Sequence, residues 1–372
     1  MINHIHIIAF DMPYPPNYGG STDMYFKLVS LRNLGIKVTL HVYLYDGKSL
    51  SKELEDSVDQ LHYYPRKGGN PFWGLLPYIV RTRSDFHLLD RLKQDHSPIL
   101  FEGLHTTFFV NHPDLKGRTM VVRAHNVEHN YYNALAIAEH FWLKKLFFLW
   151  EAWRLKRYEK VLHQVHGIAA ISPMETDYFS GIYGKTTYIP AFHSNKEVTA
   201  KVGKGEYVLY HGNLSVPENN RAAIYLVERV FSKLNVPCVV AGSRPSKHLQ
   251  RSVSKYPHVT LVRDVPTQEI LDLIQNAHVN CMVTFQSTGI KLKLLNSLYR
   301  GRFIVANREM VDQTGLESLC FVGGTEKEIV LHIQHAFTLD YSSQNNQERM
   351  KLLQESFNND SNALKLANMF NN

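Results

Sequence analysis

The chain is short of the features that would place it in several large classes. It has three cysteines in 372 residues, Cys238, Cys281 and Cys320. They lie in apolar stretches without disulfide-framework or zinc-site spacing, and read as reduced, buried thiols of a cytosolic protein. No apolar window approaches the roughly 20 residues that span a bilayer. Residues 1–10 lack the basic leader and long apolar block of a signal peptide. Negative charge is in deficit: 41 Lys and Arg against 34 Asp and Glu leave a net charge of +7. That excess favours anionic partners, among them nucleotide diphosphates, anionic lipid surfaces and nucleic acid. No zinc-finger or helix-turn-helix signature accompanies it, so nucleic acid ranks last and no nucleic-acid partner is expected. Nor do the 20 histidines add up to a metal site. His125 and His129 are four apart, but Glu128 is not in the His-Glu-x-x-His arrangement and no third ligand is evident. The expectation is no metal and no cofactor.

What is present points to two α/β domains. The length exceeds one ordinary core. Ile5–Phe10 reads as a strand, Pro13–Gly20 as a proline- and glycine-dense loop, and Ser21–Leu34 as a helix with Met24, Phe26, Leu28, Leu31 and Leu34 on one broad face. Lys37–Tyr45 is the next strand, with others expected at Ile99–Phe101, Met120–Arg123 and Gly167–Ile171. This βαβ rhythm predicts a parallel, doubly wound sheet. A polar stretch, residues 195–205, reads as a linker between a domain over 1–194 and a second over 206–345. There the rhythm restarts: strand Tyr207–Tyr210, helix Ala222–Leu234, strands Pro237–Ala241 and Val259–Leu261, helix Gln268–Asn276, strand Val279–Phe285, helix Leu292–Arg300, strand Phe303–Ala306. Residues 346–372 form a helical tail that could pack back on the first domain.

One helix, about Phe141–Leu162, mixes Trp142, Phe147, Phe148, Trp150 and Trp153 with Lys144, Lys145, Arg154, Lys156 and Arg157. It is either an ordinary domain helix with a buried apolar face or an aromatic and basic surface resting on the inner membrane leaflet. The segment Pro71–Val80 could extend that surface or line an acceptor cleft.

Four segments follow strands of the second domain, at the carboxyl edge where open α/β sheets bind ligands. They are His211-Gly212-Asn213-Leu214 onward to Asn220, Gly242-Ser243-Arg244-Pro245, Arg263-Asp264-Val265-Pro266, and Thr288-Gly289-Ile290-Lys291-Leu292-Lys293-Leu294-Leu295-Asn296. The last is the richest. A glycine-bearing strand-to-helix turn presents backbone N–H groups at a positive helix end, which suits phosphate, and two lysines add full charge. Lys293 is the first candidate for a phosphate contact and Lys291 the second.

These four turns, in this order, resemble the donor half of the retaining nucleotide-sugar glycosyltransferases with two Rossmann-like domains, the GT-B type, in the large group 1, mannosyltransferase-like family. The fourth resembles that family's Gly-x-Arg/Lys-x-Lys-x-x-Glu run. In the first domain, Gly19 and Gly20 resemble the family's double-glycine loop, and Arg123-Ala124-His125-Asn126-Val127-Glu128 its acceptor-side histidine segment.

The resemblance implies two doubly wound domains facing each other across a cleft, a nucleotide diphosphate sugar as donor and a glycan or lipid-linked acceptor. It implies donor contacts from Gly19, Gly20, Gly212, Asn213, Arg244, Val265, Thr288, Gly289, Ile290 and Asn296. Lys293, Lys291 and His125 would carry catalysis, with His105, Asn126 and Glu128 on the acceptor side. Thr288 and Asn296 stand where the family often has two glutamates, and Asn213, Asn219 and Asn220 where it often has cations. The expected function is sugar transfer with retention of configuration, in surface polysaccharide or glycoconjugate synthesis. The alternatives are an inactive sensor or scaffold and a nucleotide-sugar epimerase. The expected place is the cytoplasm, with contact at the inner membrane surface.

Overall fold

A computed structural model describes residues 2–44, 51–139, 141–285 and 292–371. They divide into two compact units, one of residues 2–194 with 357–371 and one of residues 195–285 with 292–356.

The first unit is built on seven strands: β1 His4–Ala9, β2 Lys37–Leu44, β3 Gln60–Pro65, β4 Ile99–Glu102, β5 Met120–Ala124, β6 Gly167–Ala170 and β7 Thr186–Tyr188. Their order is β3-β2-β1-β4-β5-β6-β7, with parallel pairing throughout. Helices cover both faces, so the central strands are apolar on both sides. Ile5, Ile7 and Ala9 of β1 enter one core with Leu28 and Leu31 of the helix Gly19–Asn33, while Ile8 enters the other with Phe101, Val122 and Ile168. A continuous apolar run rather than strict alternation is what two covered faces require.

The second unit repeats the plan with six parallel strands: β8 Val208–His211, β9 Cys238–Gly242, β10 Val259–Arg263, β11 Val279–Met282, β12 Phe303–Asn307 and β13 Phe321–Gly323, ordered β10-β9-β8-β11-β12-β13. In each sheet the strand order reverses once, between β1 and β4 and between β8 and β11. The crevice outside the carboxyl ends of such strands is where open α/β sheets take ligands.

The structure departs from the sequence reading in several places. The first helix starts at Gly19, so Gly19 and Gly20 form its first turn rather than a loop. β11 ends at Met282, three residues early. Beyond it the Asn307 side chain replaces a strand partner: its Oδ1 accepts from the Thr284 N–H at 3.1 Å and its Nδ2 donates to the Thr284 carbonyl at 2.6 Å. The expected Ala222–Leu234 helix begins instead at Pro217, whose fixed φ suits a first helical position, and passes through a wide π turn at Leu226–Val230. Cys238 and Cys281 are buried but Cys320 is only half-buried.

Residues 195–205 pack within the second unit. Ala200 joins its core, the Thr199 N–H donates to the Tyr299 carbonyl at 2.7 Å, and Gly203 pairs with Tyr341. The tail divides. Arg349 of the helix Ser343–Phe357 donates to the carbonyls of Leu298 and Gly301 in the second unit. Ala363, Leu366 and Ala367 of the helix Asn359–Asn368 join the core of the first.

Candidate functional site

In the second unit, Lys293 is the second residue of the helix Leu292–Arg300, whose Leu294, Leu295 and Leu298 are buried. Its half-buried ammonium donates to Asn219 Oδ1 at 3.2 Å and lies 5.5 Å from the centre of the Tyr210 ring. Burial lowers its pKa, and the Glu218 carboxylate opposes that shift. Glu218, in the first turn of the helix Pro217–Tyr225, accepts from the Thr284 hydroxyl and from the Phe285 N–H at 3.1 Å. It thereby ties the turn after β8 to the end of β11. His211 closes the group: its Nε2 is 3.2 Å from Ser297 Oγ, and burial, with the Lys293 charge, drives its pKa to about 3. His211 is therefore neutral at physiological pH and adds no positive charge beside Lys293.

The glycine turns of β8 and β9 touch. A Cβ on Gly242 would lie 1.9 Å from the Gly212 carbonyl oxygen, a distance no side chain tolerates. Asn213 bridges the same two turns, its Oδ1 accepting from Ser215 Oγ at 2.6 Å and Ser243 Oγ at 3.0 Å. Arg244 has a positive φ of 50° and its N–H donates to Asp264 Oδ1 at 2.9 Å, which joins the turns after β9 and β10 next to half-buried Val265. The structure thus gathers Gly212, Asn213 and Lys293 about the β8–β11 reversal. Arg244 and Val265 lie farther along the same edge. Asn296 is turned elsewhere: its Oδ1 accepts from Asn195 at 2.8 Å. Arg221 rests on the Phe285 ring at 4.5 Å. Thr288, Gly289, Ile290 and Lys291 lie outside the described residues.

In the first unit a buried charge network underlies the β1–β4 reversal. Asp23 and Lys27, one turn apart on the first helix, meet Glu102 from β4 and Arg123 from β5. Lys27 Nζ is 2.8 Å from both Asp23 Oδ2 and Glu102 Oε1, and Arg123 donates to Asp23 Oδ1 at 2.8 Å. All four side chains are fully buried. Burial alone would raise the Asp23 pKa, but Arg123 and Lys27 pull it far below the carboxylate range, and Lys27 and His125 likewise hold Glu102 below its ordinary value.

His125, just past β5, places Nε2 2.9 Å from Glu102 Oε2. Glu102 is ionised, so Nε2 carries the proton, and a neutral imidazole then leaves Nδ1 as an acceptor. That buried Nδ1 has no hydrogen-bond partner among the described residues. Phe10 fixes the neighbourhood. Its ring stacks on His105 at 5.0 Å, meets His125 edge-on at 5.4 Å, and lies against Gly20, where an added Cβ would be 3.1 Å away.

His105 Nδ1 faces Glu128 Oε1 at 3.8 Å, too long for a hydrogen bond. Burial holds His105 well below its ordinary pKa and raises Glu128 to about 8, so both are neutral near pH 7. Asn126 and Glu128 line one small apolar cavity with Leu104 and Phe179. The structure therefore gathers His105, His125 and Glu128, with Gly20 reached through Phe10.

Asp23, Glu102 and His125 present possible metal-ligand atoms within 4.8 Å of one another. Asp23 already faces Lys27 and Arg123, and Glu102 faces Lys27, so these side chains supply the cationic charge a metal would. Sequence reasoning missed Asp23 and Lys27, because an Asp and a Lys four apart on a helix read as an ordinary exposed pair. It also missed the bracing role of Glu218.

Residues 205–336 match the model of the family described as glycosyl transferases group 1. A curated relative from Klebsiella pneumoniae, an uncharacterised 44.6 kDa protein in a cps region, is 26% identical over 332 residues, 84% of each chain. Among solved structures, a mutant of TarM from S. aureus in complex with Fondaparinux, alpha-GlcNAc-glycerol and UDP aligns over 100% of both chains with a TM-score of 0.65 at 10% identity. HepE from Anabaena, in complex with UDP and glucose, aligns over 99% of both with a TM-score of 0.65 at 11% identity. The chain has the two-Rossmann fold of the GT-B glycosyltransferases, and its second unit carries the sequence pattern of group 1.

Proposed function

We propose that this chain is a retaining glycosyltransferase that moves a hexosyl group from a nucleotide diphosphate sugar to a glycan or lipid-linked acceptor. The observation that carries this reading is Lys293. It is a half-buried ammonium braced by Asn219 beside neutral His211, at the strand-order reversal of the unit that matches group 1. Breaking the anomeric C–O bond leaves negative charge on the departing diphosphate. A fixed cation there lowers the barrier, because it gains most when that charge is greatest.

The donor belongs to the second unit and the acceptor to the first. His125 serves by accepting a sugar hydroxyl at Nδ1, its ring held by Glu102 through Nε2. Among the described residues, none of the three carboxylates Asp23, Glu102 and Glu128 is free to become a covalent nucleophile. Asp23 and Glu102 are held in ion pairs, and burial keeps Glu128 protonated. This supports a same-face route in which the leaving phosphate oxygen takes the acceptor proton and configuration is kept. The relative from a cps region favours surface polysaccharide or glycoconjugate synthesis. A nucleotide-sugar supply puts the work in the cytoplasm, where the three thiols stay reduced.

Thermal stabilisation of the purified chain by a panel of nucleotide diphosphates and their sugars tests this. Uridine compounds come first, since both quoted neighbours hold UDP. A ligand at 100 times its dissociation constant adds about 2.7 kcal/mol of stability. A selective upshift followed by acceptor-dependent release of nucleotide diphosphate is expected. No shift with any compound would overturn the donor reading. Asn296, bound to Asn195 where the family often has a glutamate, favours one other reading, a nucleotide-sugar sensor. Its signature is a shift without turnover.

A further inference from the structure

The helix Trp142–Tyr158 carries apolar residues on its outside. Trp142, Leu146, Leu149 and Trp153 recur at spacings of four, three and four, which is one face of an α-helix. All four are exposed, Trp142 at 63%. The opposite side holds the helix in the first unit through Ala152 and Leu155, both buried. An apolar stripe turned to water over three turns costs solvation unless something covers it.

The loop before Pro77 extends this face. Trp73 is 73% exposed, with Phe72 and Leu75 also exposed. The loop is fixed to the helix rather than free. The buried Arg154 donates to the Pro71 carbonyl at 2.8 Å and forms an ion pair with Glu151, and Phe72 meets Phe147 edge-on at 6.0 Å. The patch is therefore preorganised and lies entirely within one unit.

Charge decides what covers it. Between Phe141 and Lys160 the exposed charges are Lys144, Lys145, Lys156, Arg157 and Lys160, while the two acids, Glu151 and Glu159, are buried. The sequence from Arg66 to Ser84 contains no acid. Arg157 lies over the Trp153 ring at 4.8 Å and Arg81 over Trp73 at 5.7 Å, which sets cations beside the exposed aromatics. A second copy of this chain would bring like charge to like charge. An anionic bilayer instead offers hydrocarbon for the stripe and headgroup phosphate for the flanking lysines and arginines, the arrangement of helices that lie in the interface plane.

We propose that this face of the first unit, the outer stripe of the Trp142–Tyr158 helix with the Phe72–Leu75 loop, docks on an anionic lipid surface. The proposal goes beyond the glycosyltransferase reading and stands or falls apart from it, because none of these residues belongs to either candidate site.

Vesicle flotation of the full chain tests it. Vesicles of equal parts phosphatidylcholine and phosphatidylglycerol are expected to carry the protein, and phosphatidylcholine alone is not, with binding lost at high salt. Charge reversal by Lys144→Glu with Lys145→Glu should weaken binding about ten-fold or more, and Trp73→Ser with Trp142→Ser should abolish it. These side chains are exposed, so thermal midpoints and any nucleotide-induced shift should stay unchanged. No flotation, flotation undiminished in both variants, or equal binding to phosphatidylcholine alone would each overturn the proposal. So would self-association in analytical ultracentrifugation that Trp142→Ser abolishes, which would make the occupant a second copy.

Discussion

Lys293, Asp23 and Glu128 each present a different balance of burial against charge. Lys293 is half-buried, which lowers its pKa, and the Glu218 carboxylate offsets part of that cost. Replacing it with alanine removes a charge-assisted contact of about 1.5–3 kcal/mol. Steady-state release of nucleotide diphosphate should fall roughly ten- to a hundred-fold, with the thermal midpoint of the unliganded protein little changed. Unaltered kinetics would remove Lys293 from the mechanism.

Asp23 is the hub of two ion pairs in full burial. Asp23→Asn leaves Lys27 and Arg123 short of charge, a loss on the order of 3–5 kcal/mol, as when one partner of a buried pair is removed. Urea denaturation at neutral pH measures it. The folded Asp23 pKa is depressed, so the wild-type contribution is complete above the unfolded carboxylate range. It should fade as pH drops below about 4, and the variant should lack that acid limb.

Glu128 has the opposite sign. Its folded pKa of about 8 exceeds its unfolded value, so the native state holds a proton that the unfolded chain releases. Stability should therefore fall as pH rises from about 4.5 toward 8. Glu128→Gln should flatten that fall, and an unchanged slope would show that Glu128 ionises normally.

At the scale of elements, the loops and turns do more than join strands. Gly212 follows β8 and Gly242 ends the neighbouring parallel β9, and the space between their turns has no room for a methyl group. Gly242→Ala must push the two turns apart, at a cost of about 1–3 kcal/mol typical of overpacking. Nucleotide affinity should fall more than global stability, read by calorimetric titration alongside thermal unfolding.

The elements themselves were legible to different degrees. β1, β5 and β11 were readable because strands covered on both faces are short apolar runs. The edge strands β3, β7 and β13 gave little signal, since Gln60–Pro65 and Thr186–Tyr188 are half-exposed and mixed in character. The long aromatic helix was readable in place, although the α-helix ends at Tyr158, four residues before the expected Leu162, and passes into a 3-10 segment at Glu159–Gln164. Which of its two apolar-capable faces meets the core was not, because Trp, Leu and Phe occur on both.

At the scale of the whole molecule, the chain makes two sheets of the same winding, and its last residues return to the first. His193 Nε2 lies 2.9 Å from the Phe357 carbonyl, and Asn359 donates to the His193 carbonyl at 2.7 Å. Leu366 is fully buried beside residues from the start of the chain. Leu366→Ala should cost about 2–5 kcal/mol, and limited proteolysis should show the first unit cut faster while the second keeps its resistance. Equal protection of both would contradict that assignment.

The sequence alone determined the class of fold, the three turns after β8, β9 and β10 at the carboxyl edge of the second sheet and the candidacy of Lys293 and His125, while the fourth turn lies outside the described residues. Each rests on local pattern, apolar runs bounded by glycine and proline, or on residues close together in the chain. Tertiary structure decided the rest. Asp23, Glu102 and Arg123 lie far apart in sequence, and only the parallel crossovers of the first sheet bring them into one buried network. The same holds for Glu218 against Thr284, and for a tryptophan stripe that faces water. Burial is a property of what else packs nearby, and no single segment carries that information.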